Sequence, residues 1–254
     1  MRYEAAAPRV TLIIDDPERR NPLSNAVIDA LREGVERAAA DDDIRVIVFT
    51  GAGDRSFSAG ADLSGGFVGS PIAGHAARGA LPGLFRAMRR GGKPTVARVN
   101  GHALGGGFGL AAACDIVIAV ESATFGTPEI GVGLWPMMIT AVLLRSMPHK
   151  AALELMLTGR RISAEEALRL GVVSRVVTVD QLDATVDEVV ASLAAASPAT
   201  MRLGRDAFYA VQDMGFDAAL DYLQNGLTAV ALTEDAAEGI AAFLQKRPAE
   251  WSGR

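Results

Sequence analysis

The segment Asn100-Gly101-His102-Ala103-Leu104-Gly105-Gly106-Gly107-Phe108-Gly109-Leu110 is the part of this sequence best suited to chemistry. Three consecutive glycines between apolar segments leave backbone N–H groups that no side chain crowds, and such a turn can bind an oxyanion. A second loop, Phe57-Ser58-Ala59-Gly60-Ala61-Asp62-Leu63, is again made of residues that permit close backbone approach. Glu129 stands in a Pro128-Glu129 turn, and a lone Glu beside a Pro is by itself more often a solvated surface acid than a catalytic one. His75, His102 and His149 are spaced too widely for a metal site, so none is expected. Cys114 reads as a small buried residue and not a nucleophile. The glycine triplet lacks the Lys-Ser/Thr that would make it a phosphate loop.

These loops need strands and helices to hold them. Val10 to Ile14, Val46 to Thr50, Thr95 to Val99, Ile116 to Val120 and Val172 to Val177 read as strands. Between them, a helix with Val27, Leu31 and Val35 on one face follows an N-cap at Ser24, a second covers Leu84 to Arg90, and the glycine triplet opens a third. Lys150 to Thr158 and Ser163 to Leu170 are helical, the latter opening with the Ser-x-x-Glu capping box of Ser163 and Glu166. Asp115 reads as a turn or cap residue. Strand, glycine turn and helix in alternation predict an α/β fold built of parallel or crossover units. From Leu182 onward the pattern is helical, and Ser197-Pro198 divides a core of residues 1–196 from a C-terminal helical region, 197–254. That region's apolar face suits packing on another subunit or back on its own body.

Composition narrows the functions. Half of the 254 residues are apolar, enough for a large core. The net charge of -5 comes from interspersed acids and bases with no basic stripe, so nucleic acid is not an expected partner. One cysteine excludes an intrachain disulfide, and Met1-Arg2-Tyr3-Glu4 opens without a signal-peptide stretch, so a cytoplasmic location is expected. The uncharged run that could suggest a membrane span, Ile130 to Leu144, contains Gly131, Gly133 and Pro136 and falls short of the roughly 20 residues a span needs.

Phe57 to Leu63, Asn100 to Leu110, Cys114-Asp115 and Phe125-Gly126-Thr127-Pro128-Glu129, in this order, resemble the crotonase (enoyl-CoA hydratase/isomerase) superfamily. Leu157-Thr158-Gly159-Arg160 to Gly171-Val172-Val173 and Phe243 to Pro248 extend the resemblance into the C-terminal half. It implies a spiral of ββα units with a C-terminal helical trimerisation region, assembled as a homotrimer or hexamer. It also implies an acyl-CoA thioester substrate, in fatty-acid metabolism, with coenzyme A as part of the substrate and no separate cofactor. By motif, the N–H groups of Ala61 and Gly106 form the oxyanion hole and Glu129 is the catalytic carboxylate. Arg55 and Lys246 match positions that meet coenzyme A phosphates, with Arg20 a third candidate, and Ala59 and Asp62 sit in the loop whose backbone meets the adenine.

Two departures qualify the resemblance. Gly109 stands where the family's two-acid hydratases carry a second Glu. After Glu129, Trp135, Met137 and Met138 replace a glycine-rich continuation; they read either as the lining of an acyl pocket or as ordinary core. One carboxylate suffices to move a double bond, taking a proton from C2 and returning it at C4. The balance therefore leans slightly to a 3,2-enoyl-CoA isomerase. A 2-enoyl-CoA hydratase, an acyl-CoA hydrolase or dehalogenase, and a non-catalytic acyl-CoA binder are the alternatives.

Overall fold

Long apolar strands decide the architecture. In the computed structural model, which describes residues 1–63 and 71–254, the chain runs through β1 (Arg2–Ala6), β2 (Arg9–Ile14), β3 (Pro22–Leu23), α1 (Asn25–Ala39), β4 (Val46–Gly51), β5 (Ser56–Ser58) and β6 (Gly60–Ala61). It continues with α2 (Pro71–Arg78), α3 (Ala80–Arg90), β7 (Thr95–Val99), β8 (His102–Leu104), α4 (Gly106–Ala112), β9 (Ile116–Val120) and β10 (Thr124–Gly126). A 3-10 turn (Pro128–Val132) leads to α5 (Met137–Ser146), α6 (His149–Thr158), β11 (Arg161–Ser163), α7 (Ala164–Arg169) and β12 (Arg175–Val177). The last helices are α8 (Leu182–Ala194), α9 (Pro198–Val211), α10 (Phe216–Ala231) and α11 (Glu234–Gln245).

One sheet takes the order β1-β2-β4-β7-β9-β12, parallel from β2 onward with β1 antiparallel at its edge. Strand β4 is buried throughout, and β7 and β9 at all but one residue each, as parallel strands covered on both faces must be. A second sheet runs β11-β10-β8-β5, and β3 pairs with β6. Successive strands alternate between the sheets: β4 then β5, β7 then β8, β9 then β10. This is a spiral of strand–strand–helix turns. Phe49, Phe57, Phe108 and Phe125 fill its interior, the last two with ring centroids 5.5 Å apart.

Several local expectations change. Ser24 caps α1, its Oγ accepting from the Val27 N–H at 3.3 Å, but Ile28 and not Val27 takes the inner face with Leu31 and Val35. The strand expected over Val172 to Val177 shrinks to β12, because the N–H groups of Val172 and Val173 both close α7 onto the Ala167 carbonyl. Ser163 caps α7 on the Glu166 N–H at 3.1 Å, yet the Glu166 carboxylate turns to Arg160 at 2.8 Å, so that carboxylate is held by a cation and not by the cap.

Asp115 is no simple cap. Its carboxylate accepts from the Thr95 N–H and hydroxyl, both at 2.7 Å, from Arg205 at 2.9 and 3.0 Å, and from the Tyr209 hydroxyl. Arg205 also donates to the carbonyls of Met88 and Arg89, so α9 is tied to the spiral by a buried charge each of whose three nitrogens finds an acceptor. Burial, with the Asp115 charge adding to it, pushes the Tyr209 phenol up, which keeps it a donor.

Ser197 caps α9 on the Thr200 N–H at 3.0 Å. None of the residues of α10 is buried. Phe216, Leu232 and Phe243 are 78%, 82% and 82% exposed. A cavity of about 1530 Å³ opens between α3, α5 and the C-terminal helices, with Phe85, Met138, Phe208, Leu227 and Ile240 among its lining. No helix among the described residues is long and apolar enough to cross a membrane.

Candidate active site

Three adjacent strands of the second sheet end at one place. In the order β5, β8, β10 they pair in parallel, and their C-terminal ends lead into Gly60-Ala61, Gly105-Gly106 and Pro128-Glu129. Ligands of parallel α/β sheets gather at this end of the strands.

The backbone carries the first two groups. A methyl group placed on Gly60, whose φ is +91°, would fall 2.7 Å from the Leu104 carbonyl oxygen and 3.1 Å from the Gly106 nitrogen. Only a bare Cα allows that approach. A methyl on Gly106 would lie 3.7 Å from the Ala61 nitrogen, so the two backbone nitrogens lie near one another at this strand end. Gly106 is the first residue of α4, where an N–H has no acceptor within the helix. Ala59 donates to the Arg20 carbonyl at 2.9 Å and Asp62 to that of Leu23 at 3.2 Å, which fixes the loop on both sides of Ala61.

The carboxylate is held from behind. The Leu134 N–H donates to the Glu129 carbonyl at 3.0 Å, and the N–H of Gly133, in the left-handed region, is shared between the carbonyls of Glu129 and Ile130, the latter at 3.2 Å. The side chain reaches to Gly105: a methyl there would fall 2.7 Å from Glu129 Oε1. Gly105 itself has φ 52° and ψ -123°, a conformation closed to side chains, and its N–H is pinned to the Gly126 carbonyl at 2.8 Å. Glu129 is half-buried, and its Oε2 and the neighbouring Thr127 hydroxyl are buried without a hydrogen-bond partner. Burial raises the carboxyl above the usual range, with its own backbone N–H offsetting part of the effect. A half-buried carboxyl with one unpartnered oxygen, beside two neighbouring backbone N–H groups, has the chemistry to move a proton next to a carbonyl whose oxygen such groups hold.

Gly105→Ala is expected to lower kcat about 10²-fold, because it displaces the carboxylate from its reacting position. Backbone strain of roughly 1–3 kcal/mol accompanies it. Steady-state kinetics and a thermal melt check both effects.

The remaining candidates divide. The Asp62 carboxylate is taken by Arg19 at 2.9 and 3.0 Å, so the loop's polar offer to a ligand is its backbone. Arg55 is exposed, and its carbonyl accepts the His102 N–H at 3.1 Å. Burial first, then the charges of Arg161, Arg20 and Arg55, hold the His102 imidazole below its ordinary range. Those three cations act on His102 at the start of β8, Arg161 among them without a motif to mark it. Lys246 is exposed at the C-cap of α11, away in sequence and among the C-terminal helices. Met137 and Met138 line the large cavity, and Met138 and Trp135 both pack against the core. Cys114 is buried, which pushes its thiol up and leaves it inert.

Known proteins carry the same arrangement of strands. The family model of enoyl-CoA hydratase/isomerase matches residues 6–254, and the chain belongs to that family. It is 36% identical to the 2,3-dehydroadipyl-CoA hydratase of Escherichia coli over 96% of this chain and 94% of that protein. With the carnitinyl-CoA dehydratase of Salmonella typhimurium it shares 34% identity over 97% of this chain and 96% of the relative. The crystal structure of the enoyl-CoA hydratase of Mycobacterium smegmatis superposes with a TM-score of 0.93 at 31% identity, covering 98% of this chain and 96% of that one. The protein is thus an enzyme of the hydratase/isomerase type.

Proposed function

We propose that the chain acts on an acyl-CoA thioester and shifts a double bond from the 3,4 to the 2,3 position. The N–H groups of Ala61 and Gly106 hold the thioester oxygen while Glu129 removes a proton from C2. Negative charge then moves onto that oxygen, and the protonated Glu129 returns the proton at C4, so mass is conserved. The observation that carries this reading is the Glu129 carboxyl, with an unpartnered buried oxygen, against a helix start whose next turn bears Gly109 and no second acid. Arg55, Arg20 and Arg161 supply cations for the coenzyme A phosphates, the backbone at Ala59 and Asp62 meets the adenine, and Lys246 is a further cation for the same end. The exposed apolar side chains of α10 and α11 support assembly through the C-terminal helices as a homotrimer or hexamer.

A hydratase is the second reading, favoured by the names of the two relatives above. Purified protein given a 3-enoyl-CoA and, separately, a 2-enoyl-CoA tells them apart when absorbance and mass are followed together. Conjugation of the first without a mass change supports the isomerase. Gain of one water by the second supports the hydratase, and tight binding with neither change leaves an acyl-CoA binder.

The raised Glu129 carboxyl sets the pH profile. As a base it must be ionised in the free enzyme, so the acid limb of kcat/KM is expected above the pH of an ordinary glutamate. A limb at the ordinary position would reject Glu129 as the group titrating there.

A further inference from the structure

Gly105 is the N-cap of α4, and the first hydrogen bond of the helix joins the Gly109 N–H to the Gly105 carbonyl at 3.0 Å. Glu129 rests against Gly105, and position 109 follows one helical turn later, a rise of about 5.4 Å along the axis. A carboxylate projecting from that position could hold a water together with Glu129. The position is already filled from outside the helix. A methyl group on Gly109 would fall 2.1 Å from Cγ2 and 2.7 Å from Cβ of Ile139, and 3.5 Å from Cζ of Phe85. Ile139 is 2% exposed and comes from α5, which packs directly on α4.

We propose that Ile139 determines which reaction this site performs, by filling the notch over Gly109 from which a second proton carrier would join Glu129. This rests on the single-carboxylate reading above and adds to it the residue responsible. With hydrocarbon in the notch, water beside Glu129 has one anchor, and the proton lifted from C2 stays on the carboxyl until C4 takes it. Gly109 alone does not account for the chemistry, since any side chain there must first displace Ile139.

The test compares wild type, Gly109→Glu, Ile139→Ala and the double variant Gly109→Glu/Ile139→Ala. The double variant is expected to add water to a 2-enoyl-CoA about 10²-fold faster than wild type, while Gly109→Glu alone gains nothing and melts at a lower temperature. A folded double variant that binds the thioester and adds no water would overturn the proposal, as would equal gain by Gly109→Glu alone. If the double variant does not fold, Ile139→Ala in D2O decides: a several-fold rise of deuterium at C4 of the product supports the role of Ile139, and an unchanged level overturns it. Wild type that fails to isomerise would sink the proposed function, while a water-adding double variant would still uphold the role of Ile139.

Discussion

Glu129→Gln should lower kcat by about 10²–10⁴-fold with little change in thioester affinity, because the amide keeps the shape of the side chain and cannot carry the proton. The same substitution should leave the fold more stable at neutral pH. Burial raises the Glu129 carboxyl above its unfolded value, so between those two values the native state binds more protons than the unfolded chain, and stability falls as pH rises through that window. Above it, wild type carries the cost of a half-buried charge with one unpartnered oxygen, and Gln carries none. Melting temperatures of the two proteins are therefore expected to converge at acid pH and diverge, in favour of Gln, as pH rises. Loss of activity without that divergence would locate the defect in packing. Unchanged turnover would remove Glu129 from the mechanism.

The parts of this site legible in the sequence are those that backbone chemistry restricts. At Gly105 a positive φ meets the Glu129 carboxylate, and at Gly60 one strand end presses on another, so glycine is required and the motif shows. The long strands were legible for a related reason: apolar runs such as Val46 to Phe49 have no other place than a sheet covered on both faces. Apart from β12, the strands of two or three residues, β3, β5, β6, β8, β10 and β11, carry too short a pattern to show, yet β5, β8 and β10 bring the site together.

Long-range partners were equally silent. Asp115 finds Arg205 and Tyr209 some 90 residues later, and Ile139 meets Gly109 from a different helix. No spacing rule records such meetings. Trp135, Met137 and Met138 showed an apolar departure, and the structure gives them different surroundings: Trp135 packs against the core, Met138 packs there and also lines the cavity, and Met137 lines the cavity while largely exposed.

Ala61→Pro is expected to cost about 10²–10³ in kcat/KM, the loss that follows removal of one oxyanion-hole donor. Proline deletes the N–H and leaves Gly106 as the other donor to a thioester oxygen on which charge develops. The fold should tolerate the change. The short ladder to β3 uses the Asp62 N–H, on the Leu23 carbonyl, and the loop is also held through the Ala59 N–H on Arg20, so the Ala61 hydrogen is not what fixes this edge. Ground-state binding should change little, because most of the charge on that oxygen appears only as the proton leaves C2. The loss should therefore fall on kcat and spare KM, and a tight-binding enolate analogue should lose affinity in parallel with kcat/KM. A folded Ala61→Pro protein with near-normal turnover would mean that the thioester oxygen is held elsewhere.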